Sequence, residues 1–392
     1  MQKNLFLFLQ LAFLGFAVYS SNSFAQSFDT LSVSDIAPGV THYSIHRQNP
    51  PLTINVIEVN LKERGVSLRV VKAMKSGVET LDAREKTSEM MEEADNDSTR
   101  AVAAINGGFF DVENGRPMDM QIENGIIAKL PEVFPIRSSF LFTSDKKAVI
   151  GRFSLNIKLG LSDTVFHIND LNEVCRRDQT ILFDRFYGHR TGTNLYGVGV
   201  ILRPLSKPKA GDDLRCVVDT LIKLSGNYKI PKSGFVLVAR GDAGVGIGKI
   251  VSSRDTVRLI AEFSPKISGI TQALAGWPGI VHDGKNVAAA EAHTEEAIAQ
   301  LAEERHPRTA IGISKDGTKV LLAVVDGRTK ASVGMTLSEL ADLMIKLGAY
   351  NAINMDGGGS STMAIKGKVV NSPSDATGER AVSNALVVIV SK

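Results

Sequence analysis

Short apolar runs that end in polar or charged groups are the main pattern along this 392-residue chain. Ala101–Ile105 leads directly into Asn106-Gly107-Gly108, and Val320–Val325 leads into Asp326-Gly327-Arg328. Bounded apolar runs of this length predict buried strands. Because scaffolds commonly mount binding and catalytic groups where a strand meets a loop, the pattern predicts functional groups at these strand ends.

The clearest helix is predicted over Leu337–Leu347. Thr336 and Glu339 form a capping box before it, and Gly348 supplies a C-terminal stop. The helix joins the strand that ends at Asp326 to the strand that ends at Asp356. We therefore expect a strand-helix-strand crossover over 318–356, with two parallel strands and both acids at one sheet edge, unless a third strand intervenes.

Other segments predict hairpins and one poorly amphipathic helix, and together they favour a mixed α/β (α+β) fold of strand-rich mixed sheets with packed helices. The predicted elements are a strand pair Ile54–Leu61 and Val66–Val71 across Glu63-Arg64-Gly65, a helix over Thr80–Ala94, a hairpin over Met118–Ile127, a hairpin of Phe140–Phe142 with Ala148–Phe153, a strand Phe235–Ala239 and a last strand Val387–Val390.

The N-terminus has the pattern of a signal peptide over residues 1–25. A basic start at Lys3 precedes the apolar stretch Leu5–Val18, and Ser23-Phe24-Ala25 provides small residues for cleavage. We expect an exported protein, periplasmic or secreted, with no stable membrane anchor after cleavage. We also expect residues 28–100 to form a strand-rich extension that packs on a catalytic domain over 101–392.

Composition narrows the function classes. The net charge is only +3, so electrostatics do not favour nucleic acid as a partner. Cys175 and Cys216 are the two cysteines, and their spacing does not match a zinc site. A disulfide between them and a pair of ordinary buried thiols are both open at this point.

The segment Asn354–Thr362 has the composition of a binding site, with one carboxylate, three glycines and three hydroxyls. Glycines let backbone N–H groups approach a ligand, and successive N–H groups form a concavity that binds anions. Asp356 stands at the start of this loop, where a base or nucleophile next to a bound anion would act.

These segments, with Arg308–Ile313 and Gly378–Leu386, resemble the phosphodiester glycosidase family. The resemblance runs over about residues 60–392, is densest from Arg308 onward, and is weak over 155–230. It implies the fold of that family and a hydrolase that cleaves the bond between a sugar anomeric carbon and a phosphodiester. The implied partner is therefore a carbohydrate phosphodiester, and no cofactor is required by the sequence.

Glycoside hydrolysis generally uses carboxylates, so Asp356 is the first catalytic candidate, with Asp326 and Glu379 as candidates for its partner and Asp111 as a weaker one. Arginines suit the phosphate. Asparagines suit the sugar hydroxyls, and one of Phe109 and Phe110 is expected to lie in the core. The expected substrate-binding residues are Asn106, Gly107, Phe109, Arg308, Thr309, Arg328, Gly357, Gly358, Gly359, Ser360, Ser361, Arg380, Ser383 and Asn384.

Three other interpretations stay open. Ser360 or Ser361 could act as a nucleophile, although the surrounding residues do not form a Gly-x-Ser-x-Gly elbow. A divalent cation held by Asp326 and Asp356 would make the protein a metal-dependent phosphodiesterase. A carbohydrate-binding envelope protein that keeps the fold without turnover is the alternative that is not an enzyme.

Overall fold

The structure is a computed structural model that describes residues 29–392 except 76, 195, 224 and 225. The predicted signal peptide at 1–25 lies outside the described residues. Within the described ranges, no helix is long and apolar enough to cross a membrane.

The described chain is built mainly from strands. The first fifteen are β1 (Thr30–Ala37), β2 (Val40–Gln48), β3 (Pro51–Asn60), β4 (Val66–Lys72), β5 (Met74–Lys75), β6 (Val78–Glu79), β7 (Glu85–Lys86), β8 (Thr99–Asn106), β9 (Gln121–Glu123), β10 (Ile126–Lys129), β11 (Ser138–Thr143), β12 (Ala148–Arg152), β13 (Ser154–Leu161), β14 (Thr164–Ile168) and β15 (Asp170–Leu171). The next fifteen are β16 (Thr180–Phe183), β17 (Val198–Pro204), β18 (Leu214–Lys223), β19 (Phe235–Ala239), β20 (Thr256–Ser264), β21 (Ile270–Ala275), β22 (Gly279–His282), β23 (Lys285–Asn286), β24 (Arg308–Ile313), β25 (Lys319–Val325), β26 (Asn351–Asn354), β27 (Met363–Ile365), β28 (Lys368–Val369), β29 (Ala381–Val382) and β30 (Asn384–Ser391).

Helices are few and short within the part of the chain that is described. They are α1 (Thr87–Glu93), α2 (Gly241–Ile250), α3 (Ala288–Thr294), α4 (Ala299–Glu303) and α5 (Leu337–Lys346), with single 3₁₀ turns at Arg185–Tyr187 and Gly358–Ser360. The predicted helix over Thr80–Ala94 is therefore confirmed only in its C-terminal half, as α1, because a turn and strand β7 occupy the N-terminal half. The predicted capping box of α5 is confirmed, with Glu339 N–H donating to the Thr336 hydroxyl at 3.2 Å.

Four sheets contain most of the strands. Sheet I has the order β1-β2-β3-β25-β24-β26-β22-β23, sheet II β28-β27-β8-β30-β4, sheet III β10-β9-β21-β11-β12, and sheet IV β14-β13-β20-β18-β17-β19-β16-β15. Among the described pairs of neighbouring strands, only β15 with β16 is parallel. The predicted strand-rich character is thus confirmed, but the fold is mostly β, with few helices and sheets that are antiparallel except at β15 and β16.

Two large apolar cores hold the sheets together. One is formed by inward-facing residues of sheets I, II and III, such as Ile57, Leu68 and Phe140. The other lies between sheets III and IV and includes Ile122, Leu237 and Leu259. Sheet III therefore contributes one face to each core, which matches the continuous burial of strand β11.

The two strands that lead to Asp326 and Asp356 are separated by a third strand. Strand β24 pairs antiparallel with both β25 and β26, and its Ala310 lies opposite Ala323 on one side and Asn354 on the other. Strands β25 and β26 therefore run in the same direction but are two strand spacings apart, roughly 10 Å. Their C-terminal ends and the start of β24 lie at one edge of sheet I.

The predicted pairing of Ile54–Leu61 with Val66–Val71 is wrong. Strand β3 pairs with β2 and β25 in sheet I, whereas β4 pairs with β30 in sheet II. Both strands send apolar side chains into the same core, so they face each other across it instead of lying edge to edge. The two other predicted hairpins, β9–β10 and β11–β12, are confirmed.

Cys175 and Cys216 are free and buried, which settles the open question in favour of two thiols. They belong to different apolar clusters, Cys216 between sheets III and IV and Cys175 beside strands β16 and β19. Burial raises the pKa of Cys175 to about 11 and that of Cys216 to about 12.

Candidate active site

Ends of strands from sheets I and II converge around the glycine loop that follows β26. The N–H of Asp356 donates to the carbonyl of Gly107 at 3.2 Å, and the N–H of Gly107 donates to the carbonyl of Asn384 at 2.9 Å. The structure thus brings together three segments that the sequence predicted as parts of one site. They come from the end of β8, the end of β26 and the start of β30.

Asn106 fixes the position of the glycine loop. Its Nδ2 donates to the carbonyl of Asp356 at 2.7 Å, and its Oδ1 accepts from the Thr309 hydroxyl at 2.7 Å and from Thr362 N–H at 3.1 Å. Asn106 and Thr309 are fully buried. Both side chains therefore lie beneath the loop and orient it. The sequence had instead predicted that they contact substrate.

Asn384 and Ser383 have a similar supporting position. The Asn384 Oδ1 accepts from Gly108 N–H at 2.9 Å, and the Ser383 hydroxyl donates to the Gly115 carbonyl at 2.7 Å. A β-carbon on Gly107 would lie 2.0 Å from Asn384 Oδ1, so only glycine fits there. These side chains hold the loop after β8 against β30.

The Asp356 carboxyl is partly buried at the start of the loop. Gly357 N–H donates to its Oδ1 at 2.9 Å, and the Ser360 hydroxyl also hydrogen-bonds to the carboxylate. Burial raises the pKa of Asp356 to about 6, and the Ser360 and Gly357 bonds and the charge of Arg380 limit that rise. The group is ionised at neutral pH but is more basic than an ordinary aspartate.

Two guanidinium groups lie against the glycines that follow Asp356. A β-carbon on Gly358 would stand 3.1 Å from Nη2 of Arg328, and one on Gly359 would stand 2.4 Å from Nη2 of Arg380. Gly358 also has a φ of 61°, which favours glycine. The glycines therefore allow two cationic groups to approach the loop beside the carboxyl.

The glycine amides are less available than the sequence suggested. The N–H of Gly357 is bonded to Asp356, and the N–H of Gly358 donates to the Pro307 carbonyl at 2.9 Å. Two of the three predicted donors are therefore used within the fold. Charge from the arginines becomes the main attraction for an anion at this loop.

Neighbouring side chains that the sequence did not point to hold the two arginines. Arg380 donates through Nε to Asp375 at 2.6 Å and through Nη1 to the Ser360 hydroxyl at 3.4 Å. Bonds from Thr377 and then from Arg380 lower the pKa of Asp375 to about 2. Exposed Arg328 contacts Nδ1 of His306 at 3.4 Å.

Arg308 has a different environment from the other two arginines. It is 1% exposed, and its guanidinium donates to the carbonyls of Met335, Leu301 and Glu304, each at 2.8 Å. Burial, and secondarily the charge of Arg328, lowers the pKa of Arg308 to about 10. These bonds give Arg308 a supporting position under the site and leave the predicted phosphate contact without geometric support.

Asp326 is buried and joined to the glycine loop through Asn371. Its Oδ1 accepts from Asn371 Nδ2 at 2.9 Å and from Ser372 N–H at 3.0 Å, and Asn371 also donates to the Ser361 carbonyl at 3.0 Å. Burial raises the pKa of Asp326. The carboxylate thereby anchors the 371–372 segment behind the loop.

The other two predicted partner acids are bonded to backbone elsewhere. Glu379 accepts from Ser88 N–H at 2.8 Å and from the Ser88 hydroxyl at 2.6 Å, at the start of α1. Asp111 accepts from Glu113 N–H at 2.8 Å within its own turn. Of the predicted acids, Asp356 is the one that the structure places beside the two arginines.

Phe109 and Phe110 do face opposite ways. Phe110 is buried in the core beneath α1, whereas Phe109 is partly exposed and meets Trp277 edge-on at 5.6 Å. The Ser361 hydroxyl is buried without a hydrogen-bond partner among the described residues, whereas the Ser360 hydroxyl bonds to the Asp356 carboxylate and accepts from Arg380. Among the described residues, no three His, Cys, Asp or Glu side chains come close enough to hold a metal ion.

Parts of this chain are similar in sequence to known proteins. An uncharacterised protein of an SPbeta prophage of Bacillus subtilis is 45% identical over 84 residues, which are 21% of this chain and 13% of that protein. The N-acetylglucosamine-1-phosphodiester alpha-N-acetylglucosaminidase of Bos taurus is 46% identical over 68 residues, which are 17% of this chain and 12% of that enzyme. The chain thus matches about an eighth of the length of these relatives.

The fold also occurs in a solved structure of a hypothetical protein from Synechocystis. The TM-score is 0.66 at 20% identity, covering 92% of this chain and 64% of that one. The phosphodiester glycosidase family model matches residues 225–389, which contain Asp356, Arg328 and Arg380. The resemblance of this chain to the phosphodiester glycosidase family is thereby confirmed.

Proposed function

We propose that this protein is an exported hydrolase that cleaves the bond between a sugar anomeric carbon and a phosphodiester. The observation that carries the proposal is the packing of Arg328 and Arg380 on the two glycines that follow Asp356. A phosphodiester carries one negative charge, and guanidinium groups bind phosphate oxygens through charge-assisted hydrogen bonds. The family match supports the same reaction class.

The proposed reaction requires one carboxylate and does not require a pair. Asp356 would act as nucleophile or base at the anomeric carbon, while Ser360 and Gly357 fix its orientation. The carbon–oxygen bond to phosphate breaks, water supplies the new sugar hydroxyl, and a free sugar and a phosphomonoester leave. A phosphomonoester has a second pKa near 6, so it departs without a strong proton donor.

The two arginines act mainly on the transition state. As the carbon–oxygen bond breaks, the charge on the phosphate grows from about −1 toward −2. Arg328 and Arg380 therefore interact more strongly with the transition state than with the bound substrate, which accelerates the step. Asp375 and His306 hold the two guanidinium groups in place before substrate arrives.

Export is proposed on the N-terminal sequence pattern, and the substrate is proposed to be a carbohydrate phosphodiester. The test is release of free sugar from a panel of sugar-1-phosphodiesters by the purified mature protein, with and without a chelator. We expect chelator-resistant release that falls by about 100-fold or more in Asp356→Asn.

Asp326→Asn is the matched control, because it removes a buried carboxylate that lies behind the loop. This variant should keep turnover within a few-fold of the unsubstituted protein if it folds. Full turnover in Asp356→Asn would contradict the catalytic assignment. Release only with added divalent ions would favour a metal-dependent phosphodiesterase, and sugar binding without any release would favour a carbohydrate-binding protein.

A further inference from the structure

Trp277 is the only tryptophan of the chain, and it lies beside the segment that carries Asp356. The backbone N–H of Trp277 donates to the Asn354 carbonyl at 2.8 Å, and Asn354 Nδ2 donates to the Trp277 carbonyl at 2.6 Å. The indole Nε1 donates to the Glu295 carbonyl at 2.8 Å. The ring is therefore held in one orientation two residues from the start of the glycine loop.

Phe109 approaches the same place from sheet II. It lies two residues after Gly107, whose carbonyl accepts from Asp356 N–H at 3.2 Å. The two rings meet with centroids 5.6 Å apart and an interplanar angle of 81°. Phe109 is partly exposed, so part of its ring remains accessible beside Trp277.

Arg137 completes the cluster, which we call the aromatic wall (Phe109, Trp277 and Arg137). Its Cζ lies 4.6 Å from the centroid of the Trp277 ring, so the guanidinium stacks on the indole. The Arg137 Nε is buried and has no hydrogen-bond partner in the described part of the chain.

Among the described residues, no acid lies within ion-pair distance of Arg137, although the charge of Asp119 is close enough to interact with it. Asp119, whose charge interacts with this arginine, is instead bonded to the backbone N–H groups of Met120 at 2.6 Å and Glu132 at 3.3 Å. The buried Nε cannot reach a ligand, but the terminal nitrogens of Arg137 make no hydrogen bond among the described residues and can donate to one.

We propose that Arg137 contacts the sugar of the substrate, with Trp277 as the positioning residue that holds its guanidinium flat. The inference rests on the proposed function, in which Arg328 and Arg380 take the phosphate. Sugar rings present C–H groups that pack on aromatic faces and hydroxyls that accept hydrogen bonds, which is the combination that the aromatic wall offers. The site is thereby divided into a phosphate side at the glycine loop and a sugar side at the wall.

The single tryptophan makes this testable without turnover. In the Asp356→Asn background, Trp277 fluorescence would be titrated with N-acetylglucosamine, glucose and mannose, and separately with inorganic phosphate. We expect a saturable response to at least one sugar, weakened about tenfold in Arg137→Met and partly restored in Arg137→Lys. Arg328→Gln should weaken phosphate binding and leave sugar binding unchanged.

Arg152→Met is the control variant, because Arg152 is a surface arginine paired with Glu291 at 3.0 Å. Sugar affinity within twofold of the control in Arg137→Met would overturn the proposal, and so would the absence of any saturable response to the sugars. If sugar-1-phosphodiesters are hydrolysed and Arg137→Met leaves KM unchanged, the sugar side is wrong while the proposed reaction stands. If sugar binding requires Arg137 but no phosphodiester is hydrolysed, the proposed role of Arg137 is supported and the proposed hydrolase function is wrong.

Discussion

The guanidinium of Arg380 lies directly against Gly359, where a β-carbon would stand 2.4 Å from the arginine Nη2. The same β-carbon would come within 3.0 Å of Oδ2 of Asp375, the carboxylate that holds Arg380. The φ of Gly359 does not lie in the left-handed region, so backbone conformation does not require glycine here. The closeness of Arg380 and Asp375 does. A side chain at position 359 would therefore displace the guanidinium of Arg380.

Gly359→Ala should consequently weaken substrate binding more than it weakens folding. Displacing Arg380 from the loop should raise KM for a sugar-1-phosphodiester by about tenfold, which corresponds to about 1.4 kcal/mol. Gly246→Ala in α2 is the control, because the nearest atom to its β-carbon is a ring carbon of Phe166 at 3.8 Å. Equal KM values for the two variants would show that Arg380 does not bind substrate.

The raised pKa of Asp356 predicts a pH profile. A nucleophile or base must be ionised, so kcat/KM should be maximal above pH 6 and fall as the pH drops through about 6. The positive charge of Arg380 opposes the rise in this pKa, so Arg380→Gln should move the acid limb of the profile to higher pH. An acid limb that stays in place in this variant would argue that another group titrates.

Arg308→Met should affect stability before it affects binding. The substitution leaves three carbonyl groups without their charged donor, and we expect a loss of about 3 kcal/mol or more in the free energy of unfolding. Arg328→Gln, at an exposed position, should change stability by no more than about 0.5 kcal/mol but raise KM. Denaturant unfolding and steady-state kinetics on both variants would separate the two roles, and the reverse pattern would restore Arg308 as a phosphate ligand.

The two thiols should be inert in the folded protein. Because burial raises the pKa values of Cys175 and Cys216 far above neutral, neither forms a thiolate near pH 8. Intact-mass measurement after iodoacetamide treatment should show no adduct under native conditions and two adducts in denaturant. A reducing agent should leave Tm unchanged, whereas a drop in Tm would indicate a disulfide.

Local signals in the sequence predicted the local features well. The capping box at Thr336 and Glu339 and the turn of the predicted Met118–Ile127 hairpin act within a few residues, so their structures follow from neighbouring side chains. The pairing of β3 and β4 was predicted wrongly because two apolar strands joined by a tight turn can meet edge to edge or face each other across a core. Only contacts with distant strands decide between these arrangements.

The candidate site shows the same limit. The glycine loop and Asp356 were recognisable because glycines and a carboxylate stand together in the sequence. By contrast, Arg308 and Asp326 were expected to touch substrate, and their supporting contacts to Met335 and Asn371 depend on how loops fold over one another. Trp277 and Arg137 were not predicted as site residues, because only the folded chain brings Trp277 to Phe109 and Arg137 to Trp277.

The part of the chain that matches the family model is not a physical unit. Strand β8 lies between β27 and β30, and strand β3 covers the outer side of β25, so residues before 107 fill central positions in the sheets of the C-terminal half. A fragment of residues 225–389 would contain Asp356 and both arginines but would leave β25, β27 and β30 with open edges. Activity and cooperative folding should therefore be lost together on truncation, which makes the smallest active protein much longer than its most recognisable segment.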